Sequence, residues 1–317
     1  MAAHALRRAG FALALAALAG CGGGTTAPPL TPIQVPNRYA AAWGTAGAGD
    51  GQLASPAGAA LDLNGDLFVT DAGNSRVQRF SSGGVFLAKW GAAGAGDLQF
   101  DTPQGIATLG NGNLYIVDSN NHRIQKVTRT GTFVKAWGAL GTGNGQFNTP
   151  YGIALDDSEN VYVTDQVNGR VQKFDKDGTY RMQFGTAGAT NGQFSLPTGI
   201  AVDPGQHVFV LDAGNSRVQA FTRNGAYLLK WGLPGTGQGY FSSPRYITVD
   251  DAGFVYVSDT GNQRIQMFWP NGAFIAAWGS AGSGNGMFQA PSGLAVSPAT
   301  SLYVVDTGNS RVQRFTP

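Results

Sequence analysis

The sequence has little of what metal catalysis or nucleic-acid binding usually requires. It contains one cysteine, Cys21, and beyond the first 20 residues only two histidines, His122 and His207. Positive charge is not in excess: 21 Lys and Arg against 19 Asp and Glu give +2, and two of the arginines lie in the first 20 residues, which leaves 19 against 19 for residues 21–317. Nucleic-acid-binding surfaces need clustered Lys and Arg in excess. This balance argues against a nucleic-acid partner.

Helical periodicity and membrane-spanning apolar runs are also missing. In their place a 47-residue repeat runs six times without insertion or deletion. Internal repeats of roughly 40–50 residues indicate stacked or radial arrays, because one unit cannot bury its own apolar faces alone. The period is marked by Pro56, Pro103, Pro150, Pro197, Pro244 and Pro291, by Asp71, Asp118, Asp165, Asp212, Asp259 and Asp306, and by Arg76, Arg123, Arg170, Arg217, Arg264 and Arg311.

The third copy indicates what one repeat builds. Its four short runs are separated by turns of Gly, Asn and Asp, and the second run is rich in β-branched and aromatic residues. Such runs predict antiparallel hairpins, and four strands in about 45 residues predict one blade of a β-propeller. The runs are 152–156, 161–165, 170–174 and 180–184.

The two ends of the repeat region complement each other. Residues 39–44 match a fourth strand with no blade before it, and residues 311–315 match a third strand with no fourth after it. Pairing the two would remove the open edges. We therefore predict an all-β fold: a six-bladed β-propeller of four-stranded antiparallel blades, the last of which is closed by the N-terminal strand. Small residues such as Ala60 suit the inner strand, and aromatics such as Trp43 suit the widening outer gap.

Residues 1–20 are typical of a targeting segment. Two arginines precede an apolar run, 11–18, that is too short to span a bilayer. The segment ends in Leu-Ala-Gly-Cys, which resembles a bacterial lipobox with Cys21 as the lipidated first residue of the mature chain. The alternative is an ordinary secretory signal with an incidental cysteine. A twin-Arg export signal fits less well.

The predicted signal segment and lipidation site indicate where the protein resides. Residues 21–37, rich in Gly, Pro and Thr, form a tether, and residues 38–317 form the propeller. We expect an exported protein that is anchored to the bacterial envelope by lipid only. Because Gly22 stands where an Asp typically causes inner-membrane retention, the outer membrane is favoured if the cell is Gram-negative.

The repeat itself resembles a known family. The strings PYGIALDDSENVYVTDQVNGRVQKFDKDG and WGALGTGNGQFNTP look like NHL repeats, which build six-bladed propellers. The resemblance covers about residues 38–317 in six in-phase copies, whereas WD40 and kelch signatures are not found. It implies an interaction or sensor module, the common role of NHL propellers, some of which bind RNA. Export and zero net charge argue against RNA here.

Residues present in every copy are interpreted as scaffold. In the Asp-x-x-Asn-x-Arg element of the first copy, Asp71 can accept N–H groups of the turn, Asn74 tolerates positive φ, and Arg76 can reach the carboxylate. A ring of six such pairs could instead be a charged binding site. The Gly-rich loops lack the Lys and the helix of a phosphate-binding loop, so they are interpreted as connections between blades.

Residues that depart from the repeat on one face are the candidates for binding. The position after the repeated proline holds Ala57, Gln104, Tyr151, Thr198, Arg245 and Ser292, and the next position is Gly in five copies but Tyr246 in one. Loops and strand ends on a rigid scaffold commonly bind ligands; neutral drift at exposed positions is the alternative. Our candidate ligand-binding residues are Gln104, Asn120, His122, Tyr151, Gln166, Arg245 and Tyr246.

Catalysis is not favoured by the sequence. Six-bladed propellers include lactonases and lyases with a central metal, but His122 and His207 are expected on opposite faces and cannot share an ion. No acidic residue follows the repeated proline, and no nucleophile has a base beside it. We expect a monomeric, non-catalytic module without cofactor or metal that binds a protein, peptide or glycan. The alternative is a propeller lyase or lactonase with a central metal site.

Overall fold

Six antiparallel four-stranded sheets, the blades, form the framework of the computed structural model. The structure describes residues 33–109 and 112–317, and residues 35–317 form one compact unit. The predicted signal segment, 1–20, and the predicted lipidation site, Cys21, lie outside the described residues. Inside them, no helix is long and apolar enough to cross a membrane. The predicted all-β, six-bladed architecture is confirmed.

The strands of each blade follow one another from the inner to the outer edge. Blade one comprises Pro56–Leu61, Leu67–Asp71, Arg76–Phe80 and Phe86–Trp90; blade two Pro103–Thr108, Asn113–Asp118, Arg123–Thr128 and Phe133–Trp137; blade three Pro150–Leu155, Val161–Asp165, Arg170–Phe174 and Tyr180–Phe184. Blade four comprises Pro197–Val202, His207–Asp212, Arg217–Thr222 and Tyr227–Trp231; blade five Ile247–Val249, Val255–Asp259, Arg264–Phe268 and Phe274–Trp278; blade six Pro291–Val296, Leu302–Asp306, Arg311–Thr316 and Arg38–Trp43.

Short elements lie between these strands, at the loops and turns. Parallel two-residue pairs join Ala92–Ala93 to Gln99–Phe100 and Thr186–Ala187 to Gln193–Phe194. Short 3-10 helices follow the second strands of blades one, four, five and six, at Ala72–Asn74, Ala213–Asn215, Thr260–Asn262 and Thr307–Asn309.

Blade six is closed by the N-terminal strand Arg38–Trp43, which pairs antiparallel with Arg311–Thr316. The indole of Trp43 contacts Tyr303 of the same blade at 6.0 Å and Phe80 of blade one at 6.4 Å between ring centroids. The predicted closure is therefore consistent with the observed sheet, and it links the first residues of the propeller to blades six and one.

The folded unit begins earlier than the predicted end of the tether at residue 37. Pro36 is buried, and Val35 packs against the apolar cluster shared by blades five and six. These residues carry no repeat signal because they lie before the first copy.

The outer aromatic of one blade packs on a turn of the next blade. A Cβ placed on Gly84, which has φ +89°, would lie 2.4 Å from the Trp43 ring, and one on Gly131 would lie 2.8 Å from the Trp90 ring. Glycine is required at these turns because only hydrogen fits under the indole and because the positive φ disfavours a side chain. The aromatics thus fill the outer gap between blades, as predicted.

The repeated Asp-x-x-Asn-x-Arg element is buried scaffold. Asp71 is fully buried, and its Oδ2 accepts hydrogen bonds from Arg76 Nε at 2.7 Å and from Asn74 Nδ2 at 2.9 Å. Its Oδ1 accepts the backbone N–H of Ala54 from the preceding interblade loop at 2.7 Å. The Asp–Arg pair recurs in all six blades. Our expectation for φ was wrong in one detail: the left-handed residue is the one after the Asn, Ser75 at φ 52°.

Candidate ligand site at the mouth of the propeller

A cavity of about 370 Å³, here the mouth cavity, lies where the inner strands begin. Within a blade the inner strand starts beside the end of the second strand; in blade one, for example, Pro56 pairs with Asp71. The cavity therefore lies at the end of the propeller that carries the turns between second and third strands. Small residues of blade one form part of its wall. Its polar lining includes Thr102, Gln104, Tyr151, Arg245, Ser292 and Thr307.

Three of the seven candidate residues meet at this cavity. Gln104, Tyr151 and Arg245 line it, from blades two, three and five. They hold the same repeat position, the one after the proline, where blade one has Ala57 and blade six has Ser292. The radial arrangement thus brings together side chains that are 47 and 94 residues apart in sequence.

Arg245 is the only charged side chain in the lining of the mouth cavity. It is exposed, and among the described residues it forms no ion pair. The six arginines of the turns differ, since each donates to a buried aspartate at 2.7–2.8 Å. An arginine at a cavity without a countercharge can bind an anionic group through its planar fork of donors.

Tyr151 and Tyr246 form a tilted aromatic pair near Arg245, here called the tyrosine floor. Their ring centroids are 5.6 Å apart with planes tilted by 50°. Burial raises the pKa of Tyr151, which the positive charge of Arg245 partly opposes, and burial raises the pKa of Tyr246 well above its usual value of 10.0. Both hydroxyls are therefore protonated at neutral pH. The Tyr246 hydroxyl lies near that of Tyr151 but forms no hydrogen bond of standard geometry among the described residues.

Tyr246 stands where the other blades have glycine. At those glycines the inner strands approach closely: a Cβ on Gly105 would lie 2.7 Å from the Tyr151 carbonyl oxygen. In blade five the inner strand is correspondingly short, Ile247–Val249, while other inner strands have six residues. The Arg245 N–H then donates to the Ser258 carbonyl at 3.1 Å. The larger residue is accommodated by a local change in strand pairing.

The central channel is a second cavity of about 210 Å³, lined by the inner strands of all six blades. Its lining is mostly glycine, alanine and aliphatic residues, with Tyr246 as its one aromatic. Because Tyr246 lines the channel and contacts Tyr151, which lines the mouth cavity, the tyrosine pair lies between the two spaces. Polar side chains are more frequent in the lining of the mouth cavity than in that of the channel.

Asn120 and His122 are engaged with loops and do not line the mouth cavity. Asn120 Nδ2 donates to Asp101 Oδ1 and to Thr102 Oγ1, both at 3.0 Å. His122 Nδ1 accepts the backbone N–H of Thr149 at 3.1 Å. His122 occupies the left-handed position after the Asn, at φ 54°.

Gln166 is partly exposed on the same end of the propeller. It holds the position that Ala72 and Thr307 hold in blades one and six, and both of those residues line the mouth cavity. Its side chain forms no hydrogen bond among the described residues.

The two described histidines lie at opposite ends of the blades. His207 begins the second strand of blade four, and its Nδ1 is 2.9 Å from Asp203 Oδ2, whereas His122 follows the end of a second strand. Across residues 33–109 and 112–317, no three His, Cys, Asp or Glu side chains gather in a way that could hold a metal ion.

The NHL repeat model matches residues 53–80, 100–127, 147–174, 194–221, 241–268 and 288–315. The chain belongs to the NHL repeat family. No curated protein is significantly similar to it in sequence. All three mouth residues lie inside NHL repeats, so the mouth cavity is made by substitutions at repeat positions and needs no inserted loop.

Several solved structures share the fold of this NHL propeller. Virginiamycin B lyase from Staphylococcus aureus is 15% identical with a TM-score of 0.58, over 82% of this chain and 79% of that one. A gluconolactonase from Xanthomonas campestris is 15% identical with a TM-score of 0.64, over 91% and 99%. Hydrazine synthase from Kuenenia stuttgartiensis is 11% identical with a TM-score of 0.59, over 84% and 96%. At these identities the likeness concerns the fold alone.

The structure adds Ser292 and Thr307 to the mouth of this NHL propeller. Ser292 Oγ lies 2.9 Å from the Ala57 carbonyl oxygen and Thr307 Oγ1 lies 2.8 Å from the Pro56 carbonyl oxygen, and the two hydroxyls are hydrogen-bonded to each other at 2.6 Å. The two side chains thereby connect blade six to blade one. Sequence reasoning passed over them because both are small. The sequence feature that could have indicated them is the hydroxyl group, because blade one has alanine, Ala57 and Ala72, at the equivalent positions.

Proposed function

We propose that this NHL propeller is a non-catalytic binding module that takes up part of a protein, peptide or glycan in the mouth cavity. The observation that carries the proposal is the convergence of Gln104, Tyr151 and Arg245 on one cavity. In this proposal the module is exported and attached to the bacterial envelope through lipidated Cys21, so that the propeller meets ligands outside the cytoplasm.

The form of the cavity supports a binding role. A volume of about 370 Å³ falls in the range of small-ligand sites, roughly 300–1,000 Å³. The three large side chains replace Ala, Thr or Ser of other blades, so they are not required by the scaffold. An exposed arginine that forms no ion pair contributes little to folding but can contribute strongly to binding.

An enzymatic role of the lyase or lactonase type is the second candidate, because structures with those activities share the fold. General acid–base or metal chemistry would need imidazole, carboxylate or thiol groups at the site. The lining of the mouth cavity offers a guanidinium, a phenol, an amide and hydroxyls, with none of those three groups. This composition favours binding without turnover.

The test is a glycan and peptide array probed with the purified full-length protein, with Tyr151→Ala and with Arg245→Ala. For the ligand found, each variant should lose about 1–3 kcal/mol of binding free energy. Both should fold, because blades one and six have Ala57 and Ser292 at these positions. His207→Ala, at the opposite end, is the control and should bind normally. If both mouth variants bind as well as the wild type and His207→Ala loses binding, the ligand binds at the opposite end of the propeller and our assignment of the site is wrong.

A further inference from the structure

The unpaired charge of Arg245 restricts the chemistry of the ligand. The mouth cavity has one cation and no acidic side chain in its lining, and the neighbouring tyrosine hydroxyls stay protonated because burial raises the pKa of Tyr151 and Tyr246. The site therefore has a charge of +1 at neutral pH. A ligand group of one negative charge with a planar fork of oxygens, a carboxylate, complements the guanidinium best.

The rest of the lining suits a sugar. Tyr151 lines the cavity and is half-buried, with its ring 5.6 Å from the ring of Tyr246 and its hydroxyl near Arg245. Tyrosine rings offer an apolar surface to the C–H face of a sugar. Gln104 supplies an amide that can both donate and accept.

The hydroxyls of blade six point to the same ligand class. Ser292 Oγ lies 2.9 Å from the Ala57 carbonyl oxygen and Thr307 Oγ1 2.8 Å from the Pro56 carbonyl oxygen, and the two hydroxyls share a 2.6 Å hydrogen bond in which one donates to the other. Because Ser292 is buried, Thr307 is the hydroxyl of this pair that can meet a ligand. A peptide C-terminus would also supply a carboxylate, but an apolar last side chain would need an apolar pocket. The mouth lining instead combines polar groups with small residues such as Gly73.

We infer that the ligand of the mouth cavity is a uronic acid unit, its carboxylate bound by Arg245 and its ring face resting on Tyr151. This inference rests on the proposed binding function and specifies its ligand. The tyrosine floor separates the cavity from the channel, so the site takes one sugar unit, either a free uronate or the end of an acidic polysaccharide.

Calorimetric titration of the full-length protein tests the inference. The probes are D-galacturonate and D-glucuronate, their methyl esters, the neutral parent sugars, and short oligomers of each uronate. The acidic forms should bind at least about tenfold more tightly than the esters, because a hydrogen bond to a charged group contributes about 1.5–3 kcal/mol. Tighter binding of oligomers than of monomers identifies a polysaccharide end as the source, and equal binding identifies the free sugar.

Variants separate charge from stacking. Arg245→Gln should reduce uronate affinity to that of the ester and leave ester binding unchanged, whereas Tyr151→Ala should weaken both. Arg181→Gln is the matched control, since Arg181 is also exposed but lies on the outer strand of blade three and pairs with Asp175 at 2.7 Å. It should bind like the wild type.

Each contrary result has its own meaning. Equal binding of uronate and ester, still weakened by Tyr151→Ala, overturns the uronate assignment and leaves the binding function in place. Competition by acetate or inorganic phosphate as strong as that by uronate reduces the site to an anion site and also overturns it. If no ligand on any array depends on Tyr151 or Arg245, the proposed function itself fails. Cleavage of the oligomers, followed by mass spectrometry, would contradict the non-catalytic role while upholding the uronate.

Discussion

Removing the N-terminal strand, by deleting residues 38–44, should strongly destabilise the propeller. This strand pairs with Arg311–Thr316 through five registered residues, and within residues 33–109 and 112–317 no other strand pairs with that edge of blade six. Tyr39 packs edge-on against Phe315 at 6.3 Å. Trp43 fills the gap toward blade one by contacting Phe80.

The magnitude follows from these contacts. Loss of a core tryptophan or phenylalanine side chain costs about 3–5 kcal/mol, and because Trp43 is only partly buried the lower end applies. Tyr39 and the lost strand pairing add to this, so we expect a loss of at least about 4 kcal/mol. Since domains are stable by about 5–15 kcal/mol, most of the stability should disappear. The exposed edge should also promote self-association.

Urea unfolding followed by circular dichroism measures the effect, and size-exclusion chromatography detects association. The sequence predicts that deleting 22–36 is harmless, but Pro36 is buried and Val35 is packed. The control deletion should therefore stop at residue 32. Equal melting temperatures for the 38–44 and 22–32 deletions would refute the closure argument.

Three further changes test other parts of the molecule. Cys21→Ser should release the protein from membranes or leave it unprocessed in detergent partitioning; a freely soluble wild type would contradict the lipid anchor. Lys173→Met introduces the residue that blade five has at this position, Met267. Burial lowers the pKa of Lys173 below 10.5 in the folded protein. Just below pH 10.5 the unfolded chain therefore binds more protons than the folded one, so the free energy of unfolding of the wild type should rise with pH there. Urea titrations at several pH values should show a smaller rise of the unfolding free energy with pH in the Lys173→Met variant. An identical pH dependence of wild type and variant would contradict the proposed role of Lys173. Tyr246→Phe should leave the free energy of unfolding unchanged or higher, because the buried Tyr246 hydroxyl lacks a good hydrogen bond. Tyr162→Phe should lower it by about 1 kcal/mol, because the Tyr162 hydroxyl forms hydrogen bonds with Asp156 and the Arg223 carbonyl. An equal loss in both variants would show that the Tyr246 hydroxyl forms a stabilising hydrogen bond after all.

Much of the fold was predictable because the repeat encodes it. A period without insertions fixes equal blades, and a stray fourth strand at one end with a missing one at the other predicts closure. The buried Asp71–Arg76 pair was also predictable, since a residue needed in every blade is retained in every copy. The start of the folded unit was not, because Val35 has no counterpart among the repeats.

The candidate site was predictable only in part. Departure from the repeat shows which positions vary, and the inner strand ends at the axis, so Gln104, Tyr151 and Arg245 came together. Side chains on the top turns are harder to place, because their direction depends on local φ. His122 is an example: its ring turns toward Thr149. Gln263 holds the same repeat position in blade five, and its side chain likewise accepts the Ala290 N–H at 2.6 Å. A side chain that can accept a hydrogen bond at this position was therefore the feature that indicated a contact with the neighbouring loop.

The radial fold explains how a site can arise here at little cost to folding. The residues that hold each blade together, such as Asp71 and Gln78, are fully buried, whereas the position after the proline lines the mouth cavity in every blade except blade four. A large side chain there fills the mouth cavity and displaces little of the core. Tyr246 is the exception, because it enters a glycine position and shortens its strand. This cost fits a role of Tyr246 in the floor between the mouth cavity and the channel.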